Sequence, residues 1–247
     1  MAVDDAAWAS AWRTRSPLDK LVLCVGLVVC ALVLPVWPGG VLVALAAVVL
    51  ALGPARVPAR TFARAVRWPL AFVAVGALTT VVSVDGGGLG WAPDAAARAG
   101  ELVGHSVAGG AAVLLLATTT PVSDLLPALR RLRVPAAVVE VAGVTYRMLF
   151  VLLESLRTIR EAQTARMGHS SLRRSYRSSG ALAAAVLTRS WDRARRLQEG
   201  LAGRGMEAGL AVLPEARPSS RGFLAATAAG LAALVAAGVL GSGVLGA

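Results

Sequence analysis

The feature that most constrains this chain is a run of 35 residues without a charged side chain, between Lys20 and Arg56. A helix needs about 20 mostly apolar residues to cross a bilayer, so this run is long enough for two crossings. It is interrupted at 35–40 by the sequence PVWPGG, in which proline and glycine favour a turn. The run therefore predicts two membrane-spanning helices, at about 18–35 and 38–53.

Three further uncharged stretches are long enough to form spanning helices: 68–84, the segment between Glu101 and Asp124, and the segment after Arg221. The composition agrees, because 56% of the residues are hydrophobic and only 16% are charged, against about 25% charged in soluble domains. These observations predict an all-α integral membrane protein with about five transmembrane helices.

The charges of the loops predict the direction of the crossings. The segment 55–67 carries four arginines and no acidic residue, which is typical of a cytoplasmic loop, whereas the loop 85–94 has two acidic residues and no basic one. We therefore expect the N-terminus to be cytoplasmic and the loop 85–94 to lie outside. The net charge of +11 fits cytoplasmic segments of a membrane protein. No stacking aromatic residues accompany the basic ones, so we do not expect nucleic-acid binding.

The stretch 136–153 is apolar enough to span, but a crossing there would place 154–221, with thirteen arginines and six acidic residues, outside. Glu140, Arg147 and Glu154 are spaced by seven and so share one helix face. A buried Arg147 would cost about 2.5–3.5 kcal/mol at the bilayer centre. We therefore expect this helix to be tilted, re-entrant or packed at the inner surface, its polar stripe contacting a partner or neighbouring helices. The C-terminus is then predicted to be outside.

Residues 154–209 are predicted to form a basic cytoplasmic pair of helices. The first is expected to end at Gly168 in a left-handed conformation, and the second at Gly203 or Gly205. Leu187, Trp191, Ala194 and Leu201 give the second helix an apolar face, and Arg189, Arg193 and Arg196 gather on the opposite face. The predicted organisation is thus 1–135, four transmembrane helices; 136–210, the membrane-proximal helix and cytoplasmic pair; and 211–247, a C-terminal transmembrane helix.

Each helix of the pair ends in an arginine with small neighbours, at Arg166 and at Arg204. A single arginine in this position can simply complement the helix dipole beside a glycine cap. Two of them in one basic pair favour another interpretation. Small neighbours permit close approach of a second surface, and the guanidinium offers a planar fork to carboxylates or carbonyls. The pattern therefore predicts two docking ends for partner subunits.

Three stretches carry a resemblance over nearly the whole chain: TTTPVSDLLPALRRLRVP, TYRMLFVLLESLRTIREAQTARMG and TRSWDRARRLQEGLAGRG. With the paired Ala-Arg-Gly-like ends, the chain resembles the transmembrane T component of energy-coupling-factor (ECF) ABC transporters, in its cobalt-transport, CbiQ-like branch. The resemblance implies a multi-pass protein of a prokaryotic cell membrane. It also implies that two cytoplasmic coupling helices join two ABC ATPase subunits to a membrane-embedded substrate-binding component, for cobalt or nickel ions. ATP and Mg²⁺ would then bind on the partner ATPases, with no cofactor on this chain.

The resemblance assigns ATPase docking to the two motifs. Arg166 with Ala165 matches the first motif, and Arg204 followed by Gly205 matches the second. Met167 stands where the first motif usually has glycine, which displaces Gly168 by one position, and Gly203 replaces an alanine of the second. Further partner or packing contacts are expected from a second set of charged residues: Glu140, Arg147, Glu154, Arg189 and Arg193.

Other functions fit the sequence less well. A T component shared among several vitamin-binding components remains open, and so does, with less support, a secondary transporter acting alone, although no inverted repeat is detectable. The sequence contains no phosphate-binding loop, paired catalytic carboxylates or nucleophile with a base, so we expect no enzyme and no catalytic residue. His105, inside the fourth span, is expected to bond another helix rather than a metal, and no metal site is predicted.

Overall fold

The computed structural model describes residues 2–85, 88–91, 95–205 and 217–245. Within these residues the chain forms nine α-helices and one short β-hairpin. The elements are α1 (Ala2–Ala9), α2 (Pro17–Val33), α3 (Val41–Leu52), α4 (Ala59–Val81), β1 (Val82–Asp85), β2 (Gly88–Trp91), α5 (Ala95–Thr119), α6 (Val122–Arg131), α7 (Ala136–Ala165), α8 (Leu172–Ala202) and α9 (Arg221–Leu245).

By length and composition, four helices in the described part of the chain can cross a membrane: α4, α5, α7 and the segment Arg221–Gly241 of α9. Many of their outward side chains are large and apolar, as lipid contact favours. In α4, for example, Phe72 is 81% exposed and Leu78 is 67% exposed. The protein is therefore an all-α integral membrane protein, as the sequence predicts.

The helices differ from the predicted spans in three respects. α2 has 17 residues and α3 only 12, because a turn at Val36–Gly40 separates them and contains the non-helical Trp37. α4 begins at Ala59, well before the predicted start at 68, since Pro69 is accommodated inside the helix. α7 is one continuous helix of 30 residues that qualifies as a spanning helix by composition, although the sequence argued against a full crossing there.

The antiparallel hairpin β1–β2 begins within the predicted span 68–84 and continues into the predicted outer loop at 85–94; Val82 pairs with Trp91 and Asp85 with Gly88. Residues 86–87 and 92–94 of that loop lie outside the described residues, as do 211–216 at the start of the predicted C-terminal region.

The chain divides into two compact units. The first unit comprises Met1–Leu125 with Glu215–Ala247, and the second comprises Leu126–Pro214.

In the first unit α5 packs against α2, α3 and α4. Alanines fill much of this core: Ala47 and Ala51 of α3 and Ala108 and Ala112 of α5 are fully buried, beside Leu27 of α2. Small side chains let helix backbones approach closely, which is the main way that helices associate within lipid. In the second unit, the long helices α7 and α8 pack against each other.

Candidate partner-docking site

The end of α7 is a tight turn around Arg166. Ala165 is the last helical residue, and Met167 has a left-handed backbone with a φ of 60°. The Gly168 amide donates to the Gln163 carbonyl at 2.8 Å, and the Met167 amide donates to the Thr164 carbonyl at 3.0 Å. These two bonds form a Schellman motif. The prediction that Gly168 takes the left-handed conformation is wrong, because the hydrogen bonds place Met167 at that position.

Gly168 serves instead as a point of close approach between α7 and α8. A Cβ atom at this position would lie 2.7 Å from Ser178 Oγ and 2.8 Å from the Gln163 carbonyl oxygen. Ser178 Oγ donates to the Gly168 carbonyl at 3.0 Å, and Gln163 Nε2 donates to the Ser178 carbonyl at 3.0 Å. The absence of a side chain at Gly168 thus allows α8 to be bonded directly to the end of α7.

The end of α8 has the same form around Arg204. Ala202 is the last helical residue, Gly203 keeps a helical conformation, and Gly205 is left-handed with a φ of 65°. The Arg204 amide donates to the Leu201 carbonyl at 3.1 Å, and the Gly205 amide donates to the Ala202 carbonyl at 3.0 Å. Of the two predicted stops, Gly205 is therefore the residue that reverses the backbone.

The two arginines occupy equivalent positions. Each lies just beyond the last turn of a long helix, and each directly precedes a left-handed residue, Met167 or Gly205. Ala165, Arg166, Gly203 and Arg204 are all exposed. Within the described residues, neither guanidinium has a hydrogen-bond or ion-pair partner. Each helix end therefore offers an exposed guanidinium to a partner.

Among the described residues, the polar stripe of α7 (Glu140, Arg147 and Glu154) shows no ion pair between its own members. Glu140, which is half-buried, pairs with Arg130 of α6 through a contact of 3.4 Å between Glu140 Oε1 and Arg130 Nη2. Arg147 and Glu154 are exposed and have no side-chain ion-pair partner among the residues the structure describes. Glu140 is thus paired with a neighbouring helix, which is one of the two expected roles of the stripe. Arg147 and Glu154 remain exposed to solvent or a partner.

The faces of α8 differ from the prediction. Leu187 is 70% exposed and Trp191 is 73% exposed, so this part of the predicted apolar face is not packed. A cavity of about 440 Å³ between α7 and α8 is lined on the α8 side by Val186, Ser190, Arg193, Ala194 and Leu197. Arg193, predicted on the face opposite Ala194, thus lines the same cavity as Ala194, while Arg189 is exposed. The prediction failed because Ala181–Val186 of this helix is apolar on every side and marks no single face.

His105 of α5 bonds to another helix, as expected. Its Nδ1–H donates to the Ala31 carbonyl of α2 at 2.7 Å. Across the described ranges, no group of three metal-binding side chains comes together.

Sequence reasoning missed Gln163 and Ser178 as residues that shape the first docking end. Gln163 lies three positions before the arginine, and a glutamine or serine in a polar helix gives no signal of a specific bond in a single sequence. The signal that could have indicated close packing between the two helices is Gly168, two positions after Arg166.

Comparison with known proteins places the chain among cobalt transport proteins. The family model CbiQ, described as a cobalt transport protein, matches residues 9–209. The cobalt transport protein CbiQ of Rhodobacter capsulatus is 40% identical over 242 residues, covering 97% of this chain and 98% of the relative. The CbiQ protein of Salmonella typhimurium is 28% identical over 200 residues, which is 76% of this chain and 88% of the relative.

A third relative is named as a fused protein. A protein of Methanocorpusculum labreanum, named as a fused cobalt transport protein CbiMQ, is 25% identical over 209 residues, covering 77% of this chain but only 34% of the relative. The match over residues 9–209 and the 40% identity over nearly the full length determine the family. This chain belongs to the CbiQ family of cobalt transport proteins.

Proposed function

We propose that this protein is the T component of an ECF-type ABC importer for cobalt ions. In this role it transmits motion from two cytoplasmic ATPase subunits to a membrane-embedded substrate-binding component. The observation that carries the proposal is the equivalence of the two helix ends, each of which presents an exposed arginine just before a left-handed residue.

The geometry of the helix ends fits docking to a pair of similar subunits. Two like subunits present two like surfaces, and one chain can engage both only if it carries the same feature twice. Arg166 and Arg204 provide this feature at the ends of α7 and α8. Small residues beside each arginine leave room for a partner surface, and a guanidinium can form two parallel bonds with one carboxylate.

Both helix ends must face the cytoplasm in this proposal, because the ATP is there. The excess of arginine over acidic residues from 154 to 221 supports that side. ATP and Mg²⁺ bind on the partner ATPases, and this chain acts without a catalytic residue or cofactor of its own.

The relatives support cobalt rather than nickel or a vitamin as the cargo, since the Rhodobacter and Salmonella proteins are both named for cobalt transport. The fused CbiMQ relative supports a membrane partner. The match spans only 34% of that protein, so its other part is a second component of the same transport system.

The proposal is tested by co-purification of the detergent-solubilised protein with the ATPase subunits encoded beside it. The wild type is compared with Arg166→Glu, Arg204→Glu and the double variant. Each single reversal of charge is expected to weaken ATPase retention, and the double variant is expected to abolish it, because like charges then meet at both docking ends.

Arg195→Glu is the matched control. Arg195 is also an exposed arginine of α8, but it lies seven residues before the helix end and pairs with Glu199 at 3.0 Å. Its reversal should leave ATPase retention unchanged. Equal retention by the wild type and the double variant would refute docking through these arginines.

A further inference from the structure

Two residues of the first unit that flank the second unit in sequence contact each other. The chain enters the second unit after Leu125 and returns from it at Glu215. Asp124 lies just before the first connection, and Arg217 lies just after the second. Arg217 Nη1 donates to Asp124 Oδ2 at 2.7 Å, so an ion pair joins the two connections across 93 positions of sequence.

This ion pair is well protected. The side chains of Arg217 and Asp124 are only 14% and 17% exposed. Arg217 Nη1 also donates to the Arg13 carbonyl, in the segment between α1 and α2. A pair that is largely removed from water is held far more firmly than a surface pair, and the loss of one partner leaves an unpaired charge.

A second layer of bonds connects the same place to the start of α2. Asp19, which is 3% exposed, accepts bonds from Ser219 Oγ at 2.8 Å and from the Ser220 amide at 2.9 Å. Lys20, the only lysine of the chain, is fully buried and donates to the Thr119 carbonyl at 3.0 Å, at the end of α5. The first turn of α2 is thus bonded through Asp19 to the residues just after Arg217, and through Lys20 to the end of α5, five positions before Asp124.

We propose that Asp124 and Arg217 form a clasp that transmits motion of the second unit to α2. They are positioning residues for coupling: they touch neither cargo nor nucleotide, and they hold the two connections together so that both move as one. This inference rests on the proposed function. Without the clasp, the second unit could move on its two connections separately, and ATP would be hydrolysed without reorienting the membrane helices.

The test uses the complete complex of this protein with its co-encoded ATPases and substrate-binding component in lipid vesicles. Three quantities are measured for each variant: ATPase retention, ATP hydrolysis, and the cobalt imported per ATP hydrolysed. We expect Asp124→Asn and Arg217→Gln to retain the ATPases and to hydrolyse ATP, but to import about tenfold less cobalt per ATP, which is a typical size for a coupling effect. Arg217→Lys keeps the charge and a donor, and should retain most of the transport.

Two further variants separate the clasp from general stability. Arg195→Gln removes the exposed Arg195–Glu199 pair of α8 and should change none of the three quantities. If a single variant fails to fold, the double variant Asp124→Asn/Arg217→Gln takes its place, because it removes both charges of the ion pair together.

The outcomes distinguish the clasp from the proposed function. If the wild-type complex retains its ATPases and the variants import as much cobalt per ATP as the wild type, the clasp is wrong and the proposed function stands. If the variants lose ATPase retention to the same extent as they lose cobalt import, the clasp is also wrong. The Asp124–Arg217 pair would then only stabilise the fold. If the wild-type protein does not retain the ATPases, the proposed function fails and the clasp fails with it.

Discussion

The residue after each docking arginine has a left-handed backbone, but the two residues differ in what this conformation costs. Gly205 has no Cβ, so a φ of 65° carries little strain. Met167 takes a φ of 60° with a full side chain, which is unfavourable by about 1–2 kcal/mol for an ordinary residue. The side chain of Met167 is 66% exposed, so packing offers little to offset that strain.

We therefore predict that Met167→Gly stabilises the protein. The relief of strain is partly offset by the greater freedom of glycine in the unfolded chain, so the expected gain is about 0.5–1 kcal/mol. The melting temperature of the detergent-solubilised protein should rise by about 2 °C.

Gly205→Ala is the matched opposite change. Nothing lies within 4 Å of a Cβ atom built at Gly205, so this substitution adds backbone strain without a clash. It should destabilise the end of α8 by about 1 kcal/mol. A lower melting temperature for Met167→Gly would contradict the assignment of strain to Met167.

The sequence predicted where both helices end but not how the first one ends. Arginine and glycine near the last turn are reliable signs of a helix C-terminus. Methionine rarely takes a left-handed conformation, so the rule favoured Gly168, and only the bonds from Met167 and Gly168 decide between the two. The clasp was not predictable for another reason: nothing in a single sequence links Asp124 to Arg217, 93 positions away.

At the scale of elements, the contact between α7 and α8 depends on the missing side chain of Gly168. We predict that Gly168→Ala destabilises the pair of helices by about 1–3 kcal/mol, the usual cost of an extra group in a filled space. Ser178 Oγ can rotate away from the new methyl group, but the Gln163 carbonyl at 2.8 Å is fixed by the helix cap. Thermal unfolding measures the effect.

Gly180→Ala is the control for this prediction, because Gly180 lies inside α8 and a Cβ there would meet nothing within 4 Å. Alanine favours helix over glycine by about 1 kcal/mol, so this variant should be as stable as the wild type or more stable. If Gly168→Ala behaved like Gly180→Ala, the close approach of the two helices at Gly168 would be disproved.

The helices α2–α5 and α7–α9 could be predicted from uncharged stretches and helix formers, whereas α1, α6 and the faces of α8 were not. Its middle part reads ALAAAV, and alanine packs equally well on any side. The position of α7 then determines which side is covered, so Val186 and Ala194 line the cavity and Trp191 is exposed. Which face of α8 is covered therefore depends on the helix that packs against it, and the residue pattern of α8 alone does not indicate it.

At the scale of the whole molecule, the proposed function depends on whether α7 crosses the membrane. α7 is long and apolar enough to do so, since 30 residues span about 45 Å. A crossing would place both docking arginines on the side without ATP and would expose Arg147 to lipid, at about 2.5–3.5 kcal/mol on insertion scales. The loop charges oppose this arrangement, and the proposal requires that α7 remain on the inner side.

Cysteine labelling from each side of the membrane tests the requirement. Single cysteines are introduced by Arg60→Cys in the basic first turn of α4, by Ala92→Cys in the predicted outer loop, and by Ser171→Cys between α7 and α8. A membrane-impermeant maleimide is added to intact cells and to inverted vesicles. Ala92→Cys should react only from outside, whereas Arg60→Cys and Ser171→Cys should react only from inside.

The unmodified protein is the control for labelling, because both of its cysteines, Cys24 and Cys30, are buried and should stay unreactive. Reaction of Ser171→Cys from outside, with Arg60→Cys still reacting from inside, would mean that α7 crosses. The docking of cytoplasmic ATPases at Arg166 and Arg204 would then be impossible, however well the two helix ends match. Reaction of both from the inner side would leave α7 as a long helix that enters the cytoplasm without crossing, and the excess of arginine from 154 to 221 would be the physical reason for its position.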